Sequence, residues 1–211
     1  MKSILGFGIL GFALAFCGLG ERLKQMSGAE SNSSNTASTT SSKTSTGSVE
    51  KPNPTAAQQA IIDSGTETTW DAQGVSWRLP STFKKMSVMK EQFNYGSPAA
   101  GFLIASVSVM PDDFPSDISI DATYKQALEQ LKQGKYENVR WLEIDGVKGV
   151  EWVEAMPEIK DGPRRHQWIG FRRYLGQNQQ LNVMVSTDGD KFDKHRDTFA
   201  AVLYSMKIPK A

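Results

Sequence analysis

The chain has 211 residues, with 24 Lys and Arg against 23 Asp and Glu, a formal net charge of +1, one cysteine and two histidines. Near-neutrality excludes the basic footprint of a nucleic-acid binder, so no nucleic acid is expected among the partners. One cysteine permits no intramolecular disulfide, so any folded part is held by packing, and two isolated histidines offer no zinc-ligand spacing.

Lys2 leads an uncharged run over residues 4–20 that contains Cys17 and is closed by Glu21 and Arg22. Three readings of this segment compete. A secretory signal needs a basic start, an apolar run of about 7 to 15 residues and small residues at the cut; Lys2, residues 4–15 and Ala13-Leu14-Ala15 supply them. The string Leu14-Ala15-Phe16-Cys17-Gly18 resembles a bacterial lipobox, which implies lipidation of Cys17 as the first residue of the mature chain. Phe16 stands where that pattern carries a small residue. The third reading is an uncleaved span, yet at about 1.5 Å per residue the run reaches about 25 Å, short of the roughly 30 Å hydrocarbon core. The expectation is a protein of the bacterial cell envelope, exported and anchored to a membrane through its N-terminus, with its domain in the periplasm or outside the cell.

From residue 27 to 54 the chain is dominated by Ser, Thr, Asn, Ala and Gly, and nothing there anchors a core. The stretch 21–54 is therefore expected to be a disordered linker, spanning about 30 Å as a flexible coil. A glycosylated stalk is the other use of such a tract. The remainder, 55–211, has the length of one domain able to bury its own core.

Within it, residues 55–62 read as a short helix, and Val75-Ser76-Trp77-Arg78-Leu79 alternates as a half-buried strand that stops at Pro80. One strand is expected over 86–95, reaching Gly96-Ser97-Pro98 and forming a hairpin with 102–110, whose Leu103, Ala105, Val107 and Val109 share a face. Tyr124, Ala127, Leu128 and Leu131 fall at i, i+3, i+4 and i+7, the stripe of a helix opened by Ser119 or Asp121 and closed by Gly134. Asp145-Gly146 is a two-residue hairpin turn. Pairing outward from Ile144 and Val147 sets Glu143 opposite Lys148, Trp141 opposite Val150 and Arg140 opposite Glu151, contacts that stabilise antiparallel strands. Strands follow at 166–175 and 181–186, joined by Gly176-Gln177-Asn178, and a last helix at 191–206 carries Phe192, Phe199, Val202, Leu203 and Met206 on one stripe. The fold class is α+β, a single domain in which amphipathic helices cover an antiparallel β-sheet.

This arrangement resembles the PsbP-like α/β/α sandwich, including its bacterial lipoprotein members. The residues that carry the resemblance are Gly74-Val75-Ser76-Trp77-Arg78-Leu79-Pro80, the Asp145-Gly146 hairpin followed by Gly149, and the closing helix over 192–208. The resemblance implies an accessory, assembly or binding role without catalysis, and it transfers no functional residue.

The search for chemistry yields no catalytic residue, metal site or cofactor. His195 falls between Phe192 and Phe199 on the wheel and reads as a core-edge residue; His166, beside Arg164 and Arg165, reads as solvent-facing. Asp188, Asp190 and Asp193 around Gly189 invite a calcium hypothesis, but their spacing is not that of an EF-hand and carboxylates favour a helix start. There is no Gly-x-Ser-x-Gly elbow and no phosphate-cradling glycine loop. Alternation sends Arg172 to the face of Trp168 and Tyr174, a set suited to binding a partner through charge and stacking. The competing reading pairs the arginines of this strand with Glu151, Glu154 and Glu158 across the sheet. The expected function is a non-catalytic, membrane-tethered module that binds or assembles with another envelope protein. The alternative is an exported small-ligand carrier with a pocket between sheet and helix.

Overall fold

The computed structural model describes residues 48–209. Cys17, the apolar N-terminal run and the linker as far as residue 47 lie outside them. The elements, in chain order, are α1 (Ala56–Ser64), β1 (Thr66–Trp70), β2 (Val75–Leu79), β3 (Lys84–Val88), β4 (Gln92–Ser97), β5 (Gly101–Met110), α2 (Ser116–Lys132), β6 (Tyr136–Ile144), β7 (Val147–Glu154), β8 (Pro163–Tyr174), β9 (Gln177–Asp188) and α3 (Gly189–Tyr204). The fold is α+β: β3 to β9 form a seven-stranded sheet in the order β3-β4-β5-β9-β8-β7-β6, and β1 and β2 form a separate hairpin. Every neighbouring pair in the large sheet is antiparallel. After β5 the chain leaves through α2 to the far edge, and the meander β6–β9 returns to close against β5.

The two faces of this sheet are filled differently. On the inner face α3 and the β1–β2 hairpin enclose the main core, in which Trp70, Trp77, Phe93, Trp168, Phe192 and Phe199 are buried. Trp77 stacks on Phe93 with ring centroids 4.7 Å apart. On the outer face α2 packs on β6, β7 and β8, with Tyr124 stacked on Trp141 at 4.5 Å and Tyr136 on Trp152 at 5.7 Å. No helix among the described residues is long and apolar enough to cross a membrane.

The β6–β7 register is the one expected from the Asp145-Gly146 turn, residue for residue. Other boundaries differ. The strand expected over 86–95 is two strands, β3 and β4, turning at Met89, Lys90 and Glu91 without a glycine or proline to mark the turn. β1 was not anticipated, because Thr-Glu-Thr-Thr-Trp presents only Trp70 to the core and exists as a strand by pairing with β2. The second helix opens at Ser116, three residues before Ser119. Contacts with the sheet begin at Glu50, inside the stretch assigned to the linker: its N–H donates to Trp141 O at 3.1 Å and its carbonyl accepts from Glu143 N–H at 2.8 Å. This covers part of the β6 edge. The opposite edge, β3, carries a register shift between Lys85 and Ser87 and two exposed lysines, Lys84 and Lys85, features that discourage edge-to-edge pairing.

β8 and β9 are joined by two residues, Leu175 and Gly176, instead of the three-residue turn expected, and both have positive φ, 48° and 77°. The turn geometry suits asparagine or glycine at its first position, whereas a leucine side chain there is strained by about 1 kcal/mol and its exposed side chain packs on little. Leu175→Asn is expected to stabilise the domain by about 0.5–1 kcal/mol, read as a higher urea midpoint with an unchanged slope.

Candidate functional site

β8 alternates cleanly, with Arg164, His166, Trp168, Gly170 and Arg172 on the inner side. Trp168 is fully buried and donates its indole N–H to Leu142 O at 3.0 Å. Arg172 is 8% exposed. Its Nε donates to Gln179 Oε1 at 3.1 Å, its Nη2 to Gln73 O and Oε1 at 3.0 and 2.9 Å, and its guanidinium lies 4.4 Å from the Tyr174 ring centroid. Of the expected partner-binding set, Trp168 and Arg172 are buried and Tyr174 is half-buried. The three do share a face, but α3 and the β1–β2 hairpin cover it.

The arginine–glutamate pairing reading fits only in part. Arg165 meets Glu154 at 2.9 Å, and Arg164 meets Glu137 and Asp193, but Arg172 meets no carboxylate among the described residues. His166 is not solvent-facing: sharing the inner side with Trp168, it is 4% exposed with Nε2 2.7 Å from Glu151 Oε1. His195 lies at the core edge, its ring 6.1 Å from that of Phe199. Asp188 sits at the N-cap position of α3 and reaches Lys191 at 2.5 Å, while Asp193 turns to Arg164 at 3.2 Å and Arg196 at 2.5 Å. These carboxylates serve separate basic partners, and among the described residues no three His, Cys, Asp or Glu converge on one point.

The feature that sequence reasoning missed is on the outer face. α2 spans β6, β7 and β8, so among the described residues the outward side chains of β9, β5, β4 and β3 have no covering layer. Cross-strand pairs define this open half: Gln167 beside Met184, Met184 beside Ile104, Ile104 beside Asn94, and Phe102 beside Gly96. Phe102 is 46% exposed, Ile104 38% and Met86 62%. Gly96 leaves room for the Met86 sulfur and the Phe102 ring above it, where an added Cβ would stand 2.6 and 3.1 Å from them. Around this apolar strip lie amide and hydroxyl groups of Gln167, Asn182, Asn94 and Ser106, with Gln167 Nε2 donating to Asn182 Oδ1 at 2.7 Å. The strip is apolar at its centre and polar at its margin, where Lys84 beside Gly96 and Arg165 beside Ser186 add charge, and it is attached to a rigid sheet. That composition matches the centre and rim of a protein interface.

No family model matches this chain. No curated protein matches it. Among solved structures it is similar to the cyanobacterial PsbP (CyanoP) of Synechocystis sp. PCC 6803, at 15% identity and a TM-score of 0.45 over 70% of this chain and 94% of that one. It is also similar to LpqN, involved in cell envelope biogenesis of Mycobacterium tuberculosis, at 10% identity and a TM-score of 0.42 over 69% of this chain and 86% of that one. A third likeness is to the Ran-binding protein Mog1p of Saccharomyces cerevisiae, at 9% identity and 0.41 over 69% and 96%. The PsbP-like resemblance read from the sequence recurs here as a likeness of fold. At these identities it transfers no residue and no role.

Proposed function

We propose that the domain is a non-catalytic module of the bacterial cell envelope, held near a membrane by its N-terminal segment with Cys17 as the lipidated residue, which binds another envelope protein. The observation that carries the reading is the uncovered half of the outer sheet face with Phe102, Ile104 and Met86 exposed on it. Strands lie about 4.8 Å apart and a helix packs about 10 Å from its neighbours, so the width over β9, β5 and β4 accepts one more helix beside α2. The partner element proposed is an amphipathic helix that completes the second layer. The carrier alternative lacks a comparable support, since Tyr124, Trp141 and Val150 fill the space under α2 and Phe192, Phe199 and Val202 that under α3.

A photo-crosslinking residue placed at Phe102 in the full-length protein, expressed in its own envelope, is expected to yield one discrete adduct. The same probe at Ile118, 71% exposed on α2 away from the strip, is expected to yield none, and Ile104→Glu to abolish the Phe102 adduct without changing the melting temperature. Identical adducts from both positions, or an adduct that survives Ile104→Glu, would overturn the assignment.

A further inference from the structure

Cross-strand pairing arranges the open half of the outer face in rows that run across the strands. The first row is Lys84, Gly96, Phe102, Ser186 and Arg165, on β3, β4, β5, β9 and β8 in turn. The next two, from Asn94 to Gln167 and from Gln92 to Asn182, carry no charge. Charge is therefore gathered at one end, where Lys84 and Arg165 stand on either side of Phe102. They are four strand spacings apart, about 19 Å, and a helix about 10 Å across fits between them.

α2 fixes the direction in which such a helix lies. Its Ser116 and Asp117 share a cleft with Phe171 and Arg173 at the end of β8, while its Gln130 and Gln133 share one with Glu154 and Pro163 near the start. α2 thus runs along the strands, and the groove beside it does the same. From Phe102 to Ser108 on β5 the groove is about 20 Å long, which about 13 residues of α-helix cover. The sign of the charge at its Phe102 end follows from the ion pairs there. Glu154 is taken by Arg165 at 2.9 Å and Asp188 by Lys191 at 2.5 Å, so these cancel. Lys84 and Lys85 on β3 are exposed and, among the described residues, in no ion pair, so the end is left net positive. Arg165, its side chain 40% exposed, spends Nη1 on Glu154 and keeps other guanidinium donors for a second carboxylate.

Resting on the helix-docking reading above, we propose that the partner helix received on this face is acidic at one end. Its apolar stripe lies on Phe102, Ile104 and Met184, and Asp or Glu residues in its terminal turn meet Lys84 and Arg165. Complementary charge of this kind sets register and partner choice more than affinity, since each exposed ion pair contributes little. A helix with the opposite pattern, basic at that end, is turned away by Lys84.

The test uses a pair of synthetic peptides of about 14 residues, stapled to hold the helical form, with the same Leu stripe and with either Glu or Lys in the last turn. Each is titrated against the full-length protein at physiological ionic strength and followed by fluorescence anisotropy. The Glu peptide is expected to bind about fivefold more tightly than the Lys peptide. Lys84→Glu, a change at an exposed position, is expected to reverse that order, and Ile104→Glu to abolish binding of both. Equal affinities for the two peptides, or a preference that survives Lys84→Glu, would overturn the proposal while leaving the Phe102 adduct and the docking reading in place. Binding of neither peptide to a protein that forms that adduct would overturn it as well, because the occupant is then not a helix of this pattern. Absence of the adduct itself would overturn the docking reading and this proposal together.

Discussion

Alanine at Gly149 or at Gly170 is expected to destabilise the domain by about 3 kcal/mol, the sum of an overpacked core and a broken hydrogen bond. The two glycines face each other across β7 and β8, and the Trp168 ring lies over both. A Cβ on Gly149 would stand 2.5 Å from Trp168 Nε1, and one on Gly170 2.7 Å from its Cζ2, with other ring atoms nearer still. Neither glycine has positive φ, so backbone freedom is not their role; they are the floor on which a fully buried indole lies flat. Displacing the ring also pulls Nε1 from Leu142 O, its acceptor at 3.0 Å in a site closed to water. For a domain of this size the loss corresponds to a melting temperature lower by roughly 6–12 °C. Thermal unfolding of Gly170→Ala, whose two nearest neighbours are both Trp168 ring atoms, with Trp168→Phe and the double variant separates the causes: the smaller ring should relieve the clash, so the double variant is expected to be less destabilised than the two single changes added together. Strict additivity would show that the glycine does not act through Trp168.

What was legible in the sequence follows the local rules. Asp145-Gly146 dictates a turn geometry, and with it the register of β6 and β7 down to the Arg140–Glu151 pair. The helix stripes were legible for the same reason, since Phe192, Phe199, Val202 and Leu203 repeat at the period of the structure they build, and all four are buried. Turns made by ordinary residues were less so: nothing in Met89-Lys90-Glu91 announces a reversal, and although Gly176 marks the one between β8 and β9, nothing in Leu175 makes it the first residue of that turn. The site shows the deeper limit. Alternation correctly placed Arg172, Trp168 and Tyr174 on one face, but which face is covered depends on where the chain carries α3 and the β1–β2 hairpin, a property of topology. By the same logic Phe102 and Ile104 looked like the unremarkable outward residues of a half-buried strand. Their exposure has meaning only once α2 is seen to stop at β8 and leave β5 and β9 bare.

Glu151→Ala is expected to be among the most damaging single changes in the domain, at about 3 kcal/mol, because it removes a buried carboxylate that pairs with both Arg140 and His166 and leaves their facing nitrogens without that partner. Glu151 is 1% exposed beneath α3. One carboxylate oxygen lies 2.7 Å from His166 Nε2, and the other accepts from Arg140 Nε. Arg140 also donates from Nη1 to Glu50 and from Nη2 to the Tyr204 hydroxyl, each at 2.7 Å, so one guanidinium ties β6 to α3 and to the segment before α1. Burial alone would push the Glu151 carboxyl up; the His166 and Arg140 hydrogen bonds and charges outweigh it and hold the carboxyl below the usual carboxylate range. A carboxyl depressed on folding contributes stability that is fully present above its unfolded value, about 4.3, and is lost as pH falls through the lower folded value. Stability of the wild-type domain is therefore expected to decline on acidification below about pH 4.3. Glu151→Gln keeps the shape and one acceptor but has no proton to gain, so its stability at neutral pH is lower while the part of the acid limb due to this group disappears. Urea midpoints measured from pH 7 down to pH 3 for the two proteins should thus converge. Curves that stay parallel through the acid range would mean that Glu151 does not supply the acid-sensitive charge, and that the clasp joining Glu50, β6 and α3 is held by its neutral hydrogen bonds alone.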